Sequence, residues 1–152
     1  MAYPNLFDKA ACQLAIARIS QLTPETKPQW GKMTVDQMLA HVNVAYELVH
    51  TNKHPKPGWF ARFIAKTFAK EIVVGPKPYK KNTRTAPMFL QTGPKDFAAE
   101  KERLIEYINK TQELGADHFD QKESHSFGML TITEWNTLFS KHIDHHLRQF
   151  GV

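Results

Sequence analysis

A chain of 152 residues, of which 41% are hydrophobic, is long enough for one core and too short to need two, because domains typically run to about 100–150 residues. The lone cysteine, Cys12, excludes an internal disulfide; no apolar run approaches the roughly 20 residues that cross a bilayer, and the opening residues lack the charged and apolar regions of a secretion signal. The formal charge of +5 has no nucleic-acid-binding motif behind it, so residues 1–152 read as one soluble, cytoplasmic domain with neither a membrane nor a nucleic-acid partner.

The first predicted helix covers residues 8–22, where Leu14, Ala15, Ile19 and Leu22 recur at helical spacing. Cys12 lies among Ala10, Ala11, Leu14 and Ala15 and is expected to behave as a small buried hydrophobe. Pro24, Pro28 and Gly31 then interrupt the pattern. Thr34 with Gln37 three positions on has the spacing of a capping box and opens a second helix through residue 50. Its apolar face carries Met38, Val42, Ala45 and Val49, with His41 at the margin.

Residues 52–58 (NKHPKPG) are a linker. Residues 59–73 form a shorter helix whose Trp59, Phe63, Ile64 and Phe68 are expected to close one end of the fold. Between residues 75 and 94, four prolines and two glycines predict irregular backbone, and the basic run 77–84 (KPYKKNTR), with one aromatic, reads as a solvated loop. A third long helix opens near residues 94–96 and stops at Gly115, burying Phe97, Leu104, Ile105 and Ile108. A polar loop over residues 115–126 precedes a last helix beginning at Thr131 or Thr133. The prediction is all-α: a four-helix bundle with a long connection and a short extra helix between helices 2 and 3.

The last helix holds the candidate chemistry. On a wheel of about 100° per residue, Leu138, Phe139, His142, His146, Gln149 and Phe150 fall within about 60° of Trp135. Asp144 points away, and His145 lies off the centre of the stripe. Imidazoles at i and i+4 have Cβ atoms about 5–6 Å apart and can share one ion. A single histidine on an apolar face is ordinarily a core residue bonded to backbone. Two side by side cost a few kcal/mol unless something satisfies them, roughly the price of an unpaired buried polar group.

A third ligand is needed, and His41 is the candidate, since it borders the core on a helix long enough to pack against the last one. Three neutral nitrogens around Zn²⁺, Ni²⁺ or Fe²⁺ leave a position for water or substrate. His145 is read as a neighbouring pocket residue, or as a ligand should the helix phase shift by one. His50, His54, His118 and His125 are expected at the surface. No glutamate follows His142, so the metalloprotease HExxH arrangement is absent. Asp36 and Glu47 lie on the His41 helix, but neither is placed beside that ring.

Residues 33–42 (MTVDQMLAHV) and 134–152 (EWNTLFSKHIDHHLRQFGV) together resemble the DinB-like superfamily, including its YfiT-like members, and the ending is especially similar to an uncharacterised branch of it. The resemblance runs over nearly the whole chain. It implies a four-helix bundle with a divalent metal ion held by His41, His142 and His146, and it sets Gln149 where the family has a glutamine after its last ligand. Relatives that are thiol-dependent transferases or isomerases raise the expectation of S-transfer from a low-molecular-weight thiol, while a metal that activates water would instead give hydrolysis. A non-catalytic metal- or partner-binding bundle is the alternative, because fold does not dictate function. Relatives that form dimers raise the expectation of a homodimer through Trp59, Phe60 and Phe63.

Overall fold

A computed structural model describes residues 3–152 and is predominantly helical. Helix α1 (Lys9–Ser20) starts where the Asp8 carboxylate accepts the free amides of Ala10 and Ala11, and it buries Cys12, Ala15 and Ile19. Leu14, by contrast, faces outward. Helix α2 (Val35–His50) has the expected Thr34–Gln37 capping box. It is buried along most of its length, from Val35 to Glu47, because the helices α5 (Phe97–Phe119) and α6 (Ile132–Gln149) both pack on it.

Helix α5 (Phe97–Phe119) is capped by Asp96, and α6 (Ile132–Gln149) by a Thr131–Glu134 capping box. Leu104 and Ile108 of α5, Trp135, Phe139, Ile143 and Leu147 of α6, and the apolar stripes of α1 and α2 share one core. Burying a side chain of this size stabilises by about 1.5–3 kcal/mol, so the four long helices are held mainly by this shared interior. Among the described residues, no helix is long and apolar enough to cross a membrane.

The connection departs from expectation. Residues 59–74 are helical throughout: α3 (Trp59–Ile64), a π turn (Ala65–Ala69) and α4 (Lys70–Val74). Their large apolar side chains close nothing, however. Trp59 is 82% exposed, Phe63 59%, Ile64 41% and Phe68 67%. The opposite side of the helix faces the body: Arg62 pairs with Glu123, Lys70 lies 2.8 Å from Glu134, and Ala65 and Ala69 are half-buried.

The loop after α5 also differs. Gly115 breaks the helix as predicted, with φ 75° and ψ 167°, a conformation that glycine reaches without steric cost. The helix then resumes as far as Phe119. That ring is fully buried, with its centroid 5.2 Å from Phe7, 5.6 Å from Trp135 and 5.7 Å from Phe139. Strands β1 (Lys122–Ser124) and β2 (Gly128–Leu130) pair antiparallel, Ser124 opposite Gly128, and deliver Leu130 to the core. Strands of three residues are too short to leave an alternating pattern in the sequence.

Candidate metal centre

His41 enters the site from the middle of α2, and His142 and His146 from successive turns of α6. Their ring centroids form a nearly equilateral triangle, 5.0 Å for His41–His142, 4.6 Å for His41–His146 and 4.9 Å for His142–His146. One nitrogen from each ring lies within 4.8 Å of the other two. At Zn–N distances of about 2.0–2.1 Å, nitrogens on a tetrahedral ion are about 3.4 Å apart. Small ring rotations would therefore bring all three onto one cation.

Hydrogen bonds decide which nitrogen each ring offers. His41 Nδ1 lies 2.9 Å from the carbonyl oxygen of Phe89, which can only accept. The Nδ1–H therefore donates, and Nε2 turns an unprotonated lone pair toward His142 Nε2, 3.0 Å away. In the metal-free protein, that short contact needs the proton to be on His142. A cation would take the proton's place, as metal binding at histidine requires.

His146 is fixed in the same way. Its Nδ1 lies 2.8 Å from Gln149 Oε1, while Gln149 Nε2 donates to the Trp30 carbonyl at 2.8 Å. The second bond forces the amide oxygen toward His146, so Nδ1 carries the hydrogen and Nε2 is free. Gly31 makes room for this relay. Its φ is +83°, and a Cβ there would lie 2.6 Å from Gln149 Nε2. Anchoring the ring nitrogen remote from a metal is the usual means of orienting a ligating histidine.

The electrostatics favour neutral rings. Burial lowers the His41 pKa, and the charge of His145 lowers it further against the opposing Phe89 hydrogen bond. Burial and the neighbouring His146 and His41 rings hold His142 well below the usual range. Burial and His41 push His146 down to about 3, against a smaller opposing effect of Gln149. All three are therefore neutral at neutral pH, the charge state from which a ring nitrogen can bind a metal.

His145 lies beside the trio and outside it. Its ring packs at 5.0 Å on His146, 5.5 Å on Tyr79 and 5.9 Å on Trp30, so His145 has the position of a wall residue. Phe89 covers His41 and His142 at 5.4 and 5.9 Å. The site is consequently less open than expected. His41 and His146 are buried, and only His142 is partly exposed. Two cavities lie elsewhere, one along α5 and one beside Glu47.

Several neighbours left little trace in the sequence. Tyr79, the single aromatic of the basic run, is turned inward against His145, and its hydroxyl reaches the Val73 carbonyl. Burial raises its pKa, so the phenol stays protonated. Lys141, next to His142, is 1% exposed; its ammonium donates to the carbonyls of Ile72, Gly75 and Lys77 at 2.9, 2.5 and 3.2 Å. Burial lowers that ammonium to about 8, a little offset by Glu71. Lys141 thereby ties the end of α4, and the Tyr79 loop that follows, onto α6.

Three histidines expected at the surface are engaged. His50 is stacked beside Tyr46 and Tyr107 and bonded to Thr111 Oγ1 at 2.9 Å. His54 reaches Glu47 at 2.7 Å, and His125 is buried against the Pro55 carbonyl. His118 is exposed as expected. Each of the three came from a polar linker or helix end that tertiary packing folded over, which sequence spacing does not reveal.

These features define a helical protein with a buried cluster of three neutral histidines drawn from two helices. The chain belongs to the family described as "Protein of unknown function (DUF1569)", whose model matches residues 4–151. No curated protein and no solved structure matches it.

Proposed function

We propose that the protein is a metal-dependent enzyme of the DinB-like type, built as a four-helix bundle with a long connection between its second and third helices. His41, His142 and His146 are its ligands for one divalent ion of the Zn²⁺, Ni²⁺ or Fe²⁺ class. The observation that carries this reading is the pair of anchored rings. Phe89 and Gln149 hold the Nδ1 hydrogens of His41 and His146, leaving their Nε2 lone pairs to converge with His142. A set of three neutral imidazoles with no thiolate or carboxylate suits borderline divalent ions.

When bound, such an ion supplies Lewis acidity, which lowers the pKa of a water or small thiol and makes hydrolysis or S-transfer accessible near neutral pH. The chain's own residues would set access and order. Phe89 packs on His41 and His142, Tyr79 and Trp30 pack on the adjacent His145, and the partly exposed His142 would be the approach. Lys141 fastens the Tyr79 loop.

The test is the metal content of untagged protein by mass spectrometry, with His41→Ala and His146→Ala alongside. One equivalent of metal, lost in both variants while the helical circular dichroism persists, is the expected result. Absence of metal after growth in metal-supplemented medium would refute the reading. Metal loss accompanied by collapse of the fold would instead assign the ion a structural role. Bound metal with no conjugation of small thiols to an electrophile and no hydrolysis would favour a non-catalytic metal-binding bundle.

We also infer that two copies associate through the exposed face of residues 59–72. Aromatic side chains offer about 150–250 Å² each, so Trp59, Phe60, Phe63, Ile64, Phe68 and Ile72, all 41–82% exposed, present on the order of 700 Å². That exceeds the roughly 300–600 Å² of the largest patch on an ordinary monomer. Two such faces would bury about 1,400 Å², within the size of standard interfaces.

A further inference from the structure

A polar cavity of about 200 Å³ lies on the neighbouring face of α2, floored by Ala40 and Val44 and walled by Glu47, Lys95 and Arg103. The Pro87–Phe89 turn separates it from the histidine trio. Met88 lines the cavity, while the carbonyl of the next residue, Phe89, orients His41. A molecule seated here would therefore touch the turn that also aligns the metal centre.

The charges lining the cavity are unequally satisfied. Glu47, only 3% exposed at its side chain, is fully engaged: Lys53 at 2.9 Å, Arg103 at 2.5 Å and His54 at 2.7 Å. Burial works to raise its pKa, but these hydrogen bonds and charges outweigh burial and hold the carboxyl low, so it is ionised. Glu100 is taken by Arg103 at 2.5 Å and Asn43 at 2.8 Å. Lys95 lines the same space; its backbone N–H donates to Asp36 Oδ2 at 2.7 Å, but its ammonium has no ion-pair partner among the described residues. Three lysine and arginine cations face two carboxylates, and the unused donors belong mainly to Lys95 and Lys53.

We propose that this cavity is a binding site for the carboxylate end of a small organic anion, with Lys95 as its principal contact. Unused ammonium hydrogens in a partly buried space bind a carboxylate through charge-assisted bonds, which are stronger than neutral ones. The volume is below the roughly 300–1,000 Å³ of typical ligand pockets, so the site takes a small acid or the acidic end of a larger molecule. Its service as the substrate-holding half of an active site rests on the metal reading above; its affinity for a carboxylate does not.

The probe is succinate, titrated calorimetrically into chelator-treated wild-type protein, His146→Ala, Lys95→Met and Lys95→Glu. Lys95 makes no side-chain bond that the fold depends on, so both of its variants should remain folded. Saturable one-site binding is expected in wild type and His146→Ala, weakening as salt rises. Lys95→Met should reduce affinity by roughly tenfold, the loss of one charge-assisted bond, and Lys95→Glu by more. Absence of saturable binding to wild type, or equal affinity in wild type and both Lys95 variants, overturns the proposal. Metal content of the same preparations reports on the trio separately, so failure of one site is distinguishable from failure of the other.

Discussion

Gln149 Oε1 accepts from His146 Nδ1 at 2.8 Å, and the same amide's nitrogen donates to the Trp30 carbonyl, so a residue one turn beyond the last histidine decides which nitrogen that histidine presents. Removing such an orienting partner ordinarily costs about 10–100-fold in metal affinity. Gln149→Ala should show a loss of that size in a chelator competition assay, with thermal stability lowered only slightly. Gly31→Ala should give a similar loss, because the new methyl would displace Gln149 Nε2 and the backbone is left-handed there. An affinity unchanged in both would mean that the relay has no bearing on the metal.

Lys141 sits on α6 with its ammonium enclosed by three carbonyls from the end of α4 and the segment after it. Lys141→Ala leaves those acceptors without their donor and opens a gap beneath Tyr79. A destabilisation of about 2–4 kcal/mol is expected, the range for breaking a buried polar network. Urea denaturation monitored by circular dichroism measures it. Lys141→Met restores the stem but no donor and should recover only part; full recovery would show that packing alone accounts for the effect.

Burial lowers the His50 pKa to about 4, aided by the charges of Lys110, Lys122 and His118. The unfolded ring titrates near 6.5, so between about pH 4 and 6.5 the unfolded chain binds the extra proton. Stability from this residue is complete above pH 6.5 and is lost as pH falls toward 4, by at most about 3 kcal/mol. The trio behaves with the same sign. His50→Phe should therefore flatten, without abolishing, the decline in denaturation midpoint of the metal-free protein between pH 7 and 4.5. A slope identical to wild type would place His50 outside the acid response.

The outward face of residues 59–72 gives a prediction about assembly. Sedimentation velocity should show a dimer for wild type and a monomer for Trp59→Ser/Phe63→Glu. The double variant should keep its thermal stability, because neither side chain contributes to the core. A wild-type protein that stays monomeric at high concentration would leave that face without a second copy.

Local signals were legible where local physics is decisive. The Thr34–Gln37 box and the break at Gly115 are settled by backbone groups within a few residues, so neighbouring residue types suffice to predict them, while the start of the last helix was narrowed only to Thr131 or Thr133. The stripe bearing His142 and His146 was readable because helical period alone sets which side chains share a face. The hairpin over residues 122–130 and the inward turn of Tyr79 were not readable, since each depends on partners distant in the chain.

From the amino-acid order alone came a helical domain with two histidines on a buried stripe and a third on another helix. Tertiary structure decided that the three rings meet, that Phe89 and Gln149 anchor two of them, that Lys141 clamps the covering loop, and that the aromatic residues of 59–72 face outward. The reason is one of range. Helical period and capping act over a few residues, whereas convergence of side chains from residues 41, 89, 142 and 149 is set by how whole helices and the crossover pack.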